Sequence, residues 1–198
     1  IPTLPQAACV FIIILAMTLY LSLKQESIEL ALMALLIAYL APFTLPIRDA
    51  SAVELISYYL LINVGVAVLS SFRPWKILNQ IAFLITAIVG GMYSLIHGDT
   101  HERYAMTALI LAHSALFIWL GFRFSQLLAR QDLSRFQLKP VLDLALIFAA
   151  PITAYIFLYL IHFNQPDQKL WQAGLSLLFA GVFATCWTLL RHKQTIQL

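Results

Sequence analysis

Long apolar runs separated by short polar stretches dominate the pattern of this chain. Between residues 28 and 96, three apolar runs are separated only by residues 47–51 and 72–76. Each run has roughly the 20 residues that an α-helix needs to cross the hydrocarbon core of a bilayer. Because both separators are short, charged and rich in turn-forming residues, the runs are predicted to be antiparallel transmembrane helices.

The same pattern predicts about seven transmembrane helices, at residues 5–23, 28–46, 52–71, 74–96, 104–122, 140–163 and 170–190. The predicted fold is therefore an all-α, polytopic transmembrane helix bundle, with residues 1–198 forming a single transmembrane domain. The chain begins at Ile1, without a methionine or the basic region of a signal peptide. It is therefore expected to be a segment of a longer membrane protein.

Composition agrees with a bilayer environment. Of the residues, 62% are hydrophobic and only 11% are charged, whereas a soluble domain carries about 25% charged residues. The net charge of +3 is small and scattered, which argues against nucleic acid as a partner. The expected partners are the lipid bilayer and either further transmembrane helices of the longer chain or partner subunits.

The distribution of Lys and Arg predicts the orientation, because basic residues concentrate on the cytoplasmic side of membrane proteins. One side of the predicted bundle would hold nine basic residues: Lys24, Arg73, Lys76, Arg123, Arg130, Arg135, Lys139, Arg191 and Lys193. The other side would hold three: Arg48, Arg103 and Lys169. This bias predicts that the N-terminus lies outside and the C-terminus in the cytoplasm.

The interior of the predicted bundle is almost free of charge, and His113 is the deepest ionisable side chain. An ionisable group at that depth indicates a functional role, although a neutral histidine bonded to a neighbouring helix explains it as well. Asn63 lies at mid-depth in the third helix, on a small and polar face with Tyr59, Ala67 and Ser70. Interhelical hydrogen bonds, worth about 0.6 kcal/mol on average, explain such a face without a substrate.

The fourth predicted helix has a comparable stripe of polar, small and aromatic residues. This stripe consists of Asn79, Thr86, Gly90, Tyr93 and His97. Small residues let transmembrane helices approach closely, and polar ones hydrogen-bond between helices. The stripe is therefore predicted to be a packing seam.

Two prolines lie inside predicted helices, Pro42 in the second and Pro151 in the sixth. Proline removes a backbone donor and clashes with the preceding turn, so a kink or an end is expected at each. Residues 41–44 and 150–153 also share the pattern Ala-Pro-x-Thr. This is a faint sign of an internal repeat, an architecture that is known among transporters.

The order of these features resembles a known family. The second predicted helix contains Tyr39-Leu-Ala-Pro-Phe-Thr-Leu-Pro46, the third contains Tyr58-Tyr-Leu-Leu-Ile-Asn-Val-Gly65, and Arg73-Pro-Trp-Lys76 leads into the fourth. With Leu146-Ile-Phe-Ala-Ala-Pro151 in the sixth, the chain resembles the large predicted bacterial membrane proteins grouped as domain of unknown function 2339. The resemblance implies a multi-pass protein of the bacterial inner (plasma) membrane with many more spans. It implies no activity and no catalytic residue.

The outer loops gather histidine and acidic residues, namely His97, Asp99, His101, Glu102, His162 and Asp167. Such side chains can bind divalent metals, which makes His97, Asp99, His101 and His162 weak candidates. Their spacing fixes no ligand set, so no metal and no cofactor is predicted.

No nucleophile elbow, zinc-protease motif or P-loop is present, and the chain is not predicted to be an enzyme. A third interpretation is an enzyme that acts on lipid-linked substrates at this outer cluster.

Two interpretations of function remain. In the first, the chain is a non-catalytic membrane scaffold or assembly module, which uncharged helices and alanine-rich seams favour. In the second, it is part of a small-molecule or lipid transporter, with a mid-membrane cavity near Asn63 and His113 that Tyr59, Pro42 and Pro151 would help to line. The mid-helix prolines and the faint repeat favour the second.

Overall fold

The computed structural model describes residues 4–44, 51–73, 75–128, 138–163 and 165–195. These residues form seven long helices and no β-strand. The helices are α1 (Leu4–Gln25), α2 (Ile28–Thr44), α3 (Ala52–Phe72), α4 (Lys76–His97), α5 (Arg103–Leu128), α6 (Leu138–Ile161) and α7 (Gln168–Thr195). The predicted all-helical fold with about seven helices is confirmed, and each helix overlaps one predicted run. The last two residues of the second predicted run, 45–46, lie outside the described residues.

Four stretches are long and apolar enough to cross a membrane. They are Ala52–Phe72, Lys76–His97, Thr100–Arg123 and Gln168–Leu189. Three shorter apolar stretches are Ile12–Gln25, Ile28–Thr44 and Leu146–Ile161. A helix of 17 residues, the length of α2, spans about 25 Å, near the lower limit for a bilayer core.

The chain divides into two compact units, Ile1–Leu116 and Phe117–Leu198. In the first unit α3 is central, because it packs against α1, α2 and α4. In addition, α1 packs against α2, and α2 packs against α4. In the second unit α6 packs against α7. The earlier assignment of residues 1–198 to a single domain stays a prediction.

Local signals set the helix ends of the first unit. Ser51 starts α3 with a capping box: its hydroxyl accepts from the Glu54 backbone N–H at 3.2 Å, and the Glu54 carboxylate accepts from the Ser51 N–H at 3.3 Å. Between α1 and α2, Glu26 adopts a left-handed backbone with φ of 55°. Its carboxylate forms an ion pair with Arg73 at the end of α3. The α1–α2 turn and the end of α3 therefore lie at the same end of this unit.

The helices of the first unit are apolar on the outside as well as the inside. On α3, Leu61, Val64 and Val68 are about half exposed, whereas Ile62 and Val66 are fully buried. A soluble helix would place polar residues on its exposed face. Apolar side chains on both faces are what lipid-surrounded helices carry, so the polar groups of α3 are directed inward instead.

Candidate functional site

A buried hydrogen-bonded network joins three helices of the first unit at Asn63. Asn63 is fully buried in the middle of α3. The Tyr39 hydroxyl of α2 donates to Asn63 Oδ1, and Asn63 Nδ2 donates to Thr86 Oγ1 of α4 at 2.9 Å. One amide thus uses its acceptor toward one neighbouring helix and its donor toward another. We call Tyr39, Asn63 and Thr86 the polar triad.

Two tyrosines of α3 add contacts to the backbone of α2. The Tyr58 hydroxyl donates to the Ala38 carbonyl at 2.8 Å, and the Tyr59 hydroxyl donates to the Tyr39 carbonyl at 3.1 Å. The Tyr39 and Tyr59 rings also meet edge to face, with centroids 4.9 Å apart. Because Tyr39 is 1% and Tyr59 0% exposed, these bonds replace water for groups that would otherwise be buried without partners.

A second polar pair lies two helical turns from the triad on the same α3–α4 interface. The Ser70 hydroxyl donates to Asn79 Oδ1 at 3.0 Å. Ser70 follows Asn63 by seven residues, and Asn79 precedes Thr86 by seven. The Asn63–Thr86 and Ser70–Asn79 hydrogen bonds are therefore about 10 Å apart along the two antiparallel helices. Asn79, Thr86 and Gly90 of the stripe predicted on the fourth helix therefore face the stripe on α3. The other two members of that stripe do not, because Tyr93 lies against Phe43 of α2 and His97 is exposed.

The helical geometry of α4 changes at the triad, because Thr86–Gly90 forms a π-helical segment. In a regular α-helix, a residue four positions on is rotated by about 40° around the axis. A π-helix has more residues per turn. The segment therefore keeps Thr86, Gly90 and Ser94, four residues apart and all buried, on one face of α4.

Gly90, four residues after Thr86 on α4, allows α3 and α4 to approach closely next to the triad. A Cβ atom at Gly90 would lie 2.9 Å from Ile56 Cδ1 and 3.1 Å from Tyr59 Cδ2. These separations are shorter than ordinary contacts, so any larger residue must displace α3 side chains. In contrast, a Cβ at Gly65 of α3 would meet nothing within 4 Å.

His113 is buried in α5, with 6% of its surface exposed. Its Nδ1 lies 2.9 Å from the Leu109 carbonyl of the same helix, and because a carbonyl only accepts, Nδ1 carries the proton. Nε2 is buried and has no hydrogen-bond partner among the described residues. His113 therefore makes none of the interhelical hydrogen bonds that Asn63 makes.

Sequence analysis named two further positions beside these, Pro42 and Pro151. Pro42 lies within α2, two residues before Thr44, and Pro151 lies buried within α6 in the second unit. Because α6 continues to Ile161, an end of the helix at Pro151, one of the two expected outcomes, does not occur. Tyr59, also named from the sequence, lies directly beside the triad.

The outer-loop candidates do not assemble into a metal site in the part of the chain that the structure describes. No three His, Cys, Asp or Glu side chains are grouped closely enough there to hold a metal ion. His97 stacks on Tyr93, with centroids 4.3 Å apart, and His162 of the second unit stacks on Trp171 at 4.2 Å. Asp99 accepts a hydrogen bond from the His101 backbone N–H at 3.1 Å, which lowers the pKa of the Asp99 carboxyl. This carboxylate serves as a local cap for the 3-10 turn Thr100–Glu102.

The site that results is neutral and is made of hydroxyl and amide groups. Such groups hold helices together and offer no nucleophile–base pair and no oxyanion-stabilising donor set. The sequence placed Thr86 only in a packing stripe and Tyr39 only in a family-like motif, and neither was a candidate site residue. A usable signal existed for Tyr39, because its hydroxyl is one of few polar groups in the apolar run of α2.

Comparison with known proteins identifies one family. The sequence model of a family described as "Predicted membrane protein (DUF2339)" matches residues 2–198. No curated protein and no solved structure matches the chain.

Proposed function

Since the chain belongs to this family of predicted membrane proteins, DUF2339, we propose that it is a non-catalytic membrane scaffold or assembly module. The polar triad is the observation that carries this proposal. The buried Asn63 amide accepts a hydrogen bond from α2 through its oxygen and donates one to α4 through its nitrogen. These two bonds fix the arrangement of three helices relative to one another. Polar residues inside membranes join helices in this way without any substrate.

The outer faces of the first unit support a role in assembly. Besides α3, the helices α1, α2 and α4 also carry large apolar side chains that are more than half exposed, for example Met17, Met33 and Ile88. Such faces fit lipid, further transmembrane helices of a longer chain, or partner subunits. In this proposal the module lies in a bacterial inner membrane, with its N-terminus outside and its C-terminus in the cytoplasm.

A transporter of small molecules or lipids is the second candidate, and two observations favour it. His113 Nε2 is a buried acceptor with no partner among the described residues. The π-helical segment of α4 also lies at the triad, and such segments occur frequently at functional sites. Under this alternative, Asn63 and His113 would contact a transported molecule, and replacing Asn63 would abolish transport without unfolding the protein.

Site-specific photocrosslinking in the full-length protein in native membranes tests the scaffold proposal. A photoreactive residue is placed at Leu61, Val64 or Val68 on the exposed face of α3, and in parallel at exposed positions of α1, α2 and α4. The buried positions Ile62 and Val66 of the same helix serve as matched controls. The scaffold proposal expects protein crosslinks from at least one exposed face, and only short-range crosslinks within the first unit from the buried positions. Crosslinks to lipid alone from every exposed face would contradict it.

A further inference from the structure

Two buried polar atoms of the first unit lack hydrogen-bond partners among the described residues. They are Asn79 Nδ2 on α4 and His113 Nε2 on α5. Asn79 is 1% and His113 is 6% exposed, so neither side chain is exposed to the surrounding medium. Leaving a buried donor or acceptor without a partner costs about 1–3 kcal/mol, and in native proteins such groups are almost always paired with protein or ordered water.

Reorienting the side chains does not remove the unpaired atoms. If the Asn79 amide were turned over, its nitrogen would face Ser70 Oγ and its oxygen would become the unpaired atom. If the His113 ring were turned over, the Leu109 carbonyl would face a carbon and lose its hydrogen bond. The orientation described for His113 is therefore the better-bonded one, whereas the two orientations of Asn79 form the same number of hydrogen bonds. In every case one buried polar atom needs a partner from elsewhere.

The chemistry of the two atoms selects the ligand. Asn79 Nδ2 is a donor and needs an acceptor. His113 Nε2 is the acceptor nitrogen of a neutral ring whose Nδ1 carries the proton, so it needs a donor. A metal ion could not bind the amide N–H₂ group, and an anion could not bind the ring lone pair. Water serves both atoms, because it accepts and donates.

We propose that Asn79 and His113 each bind an internal water molecule inside the membrane-embedded first unit. At Asn79 the water accepts from Nδ2, and Ser70 Oγ, 3.0 Å from Asn79 Oδ1, is positioned to accept a hydrogen bond from it. At His113 the water donates to Nε2. Buried waters in proteins typically make about three hydrogen bonds to groups of this kind. Each polar side-chain atom of the triad already has a hydrogen-bond partner on another helix, so no water is proposed within the triad.

Water-edited solid-state NMR of the full chain in lipid bilayers tests this proposal. Magnetisation is transferred from water to the side-chain nitrogens of protein labelled with ¹⁵N in Asn and His. The dipeptides Leu78–Asn79, Ala112–His113 and Ile62–Asn63 each occur once in the sequence. Pairwise ¹³C and ¹⁵N labelling therefore assigns all three signals without a substitution that could impair folding.

Asn63 is the matched internal control, because it is equally buried and its amide nitrogen donates to Thr86. The signals of Asn79 Nδ2 and of the protonated His113 ring nitrogen Nδ1 are expected to receive magnetisation from water several-fold faster than that of Asn63 Nδ2. Transfer to Asn79 and His113 as slow as transfer to Asn63 would overturn the proposal. That result would leave the scaffold proposal intact, since the scaffold is tested by crosslinks from the outer faces.

Discussion

Replacing Asn63 with leucine should destabilise the first unit markedly, although leucine has a similar size and is more apolar. The substitution removes both hydrogen bonds of the Asn63 amide. Interhelical bonds of this kind contribute about 0.6 kcal/mol on average and up to about 1.7 kcal/mol each. The Tyr39 hydroxyl would in addition lose its acceptor, at a cost of up to about 1–3 kcal/mol, part of which the neighbouring Thr86 hydroxyl can recover. The Thr86 hydroxyl can turn to a carbonyl of its own helix, so it adds little.

The expected loss for Asn63→Leu is therefore about 2–4 kcal/mol in the free energy of unfolding. The measurement is a reversible titration from mild detergent into denaturing detergent, followed by circular dichroism. Val64→Leu is the matched control, because Val64 is the next residue and 45% exposed. This control should change stability by less than about 0.5 kcal/mol. An Asn63→Leu effect as small as that of the control would refute the role given to the triad.

A double-mutant cycle separates the triad from a general packing effect. Tyr39→Phe removes the hydroxyl that Asn63→Leu would leave unpaired. The double variant should therefore be less destabilised than the two single variants added together. Strict additivity would show that Tyr39 and Asn63 are not coupled. Under the transport alternative, in contrast, Asn63→Leu would abolish function while stability stayed close to that of the native chain.

Two further substitutions test the contacts around the site. Gly90→Ala should lower stability by up to about 2 kcal/mol, because overpacking against the hydrogen-bonded Tyr59 ring, 3.1 Å from the new Cβ, costs about 1–3 kcal/mol and the helix preference of alanine over glycine returns about 1 kcal/mol. Gly65→Ala, with open space around its Cβ, should be neutral or slightly stabilising in the same unfolding titration, and equal effects would contradict the close approach. The pKa of Asp99 is lowered in the folded chain chiefly by the His101 N–H, so its small contribution to stability is present above the ordinary pKa of the carboxyl and is lost as the pH falls through the lowered value. Asp99→Ala should therefore remove a small acid-dependent component from the thermal midpoint, and an unchanged pH profile would contradict this.

The positions of the helices followed from the length of the apolar runs, because about 20 apolar residues in sequence have few structures open to them in a bilayer. The stripes on the third and fourth predicted helices were also visible in the sequence. Their pairing, with Asn63 facing Thr86 and Ser70 facing Asn79, was not. Helices that are apolar on all faces carry little periodicity, so a sequence does not say which polar group meets which.

Three features depended on tertiary contacts that no local pattern reports. The π-helical segment at Thr86–Gly90 extends the face that α4 presents to α3. Tyr39 was noticed as part of a family-like motif. Its hydrogen bond to Asn63, however, requires α2 and α3 to pack with these two residues at the same position along the helix axes. His113 was expected to bond a neighbouring helix if it had no function, but its Nδ1 bonds its own helix instead.

Cysteine labelling from the two sides of the membrane tests most directly whether the helices cross a bilayer in the proposed orientation. Single cysteines replace Asp99, which precedes α5, and Asp132, which lies beyond the described end of α5, in a chain whose Cys9 and Cys186 are changed to serine. In intact cells an impermeant thiol reagent should modify the cysteine at position 99, whereas the one at position 132 should react only after the cells are opened. Labelling of both positions in intact cells, or labelling in the reverse pattern, would contradict the proposed crossing of α5 from outside to inside.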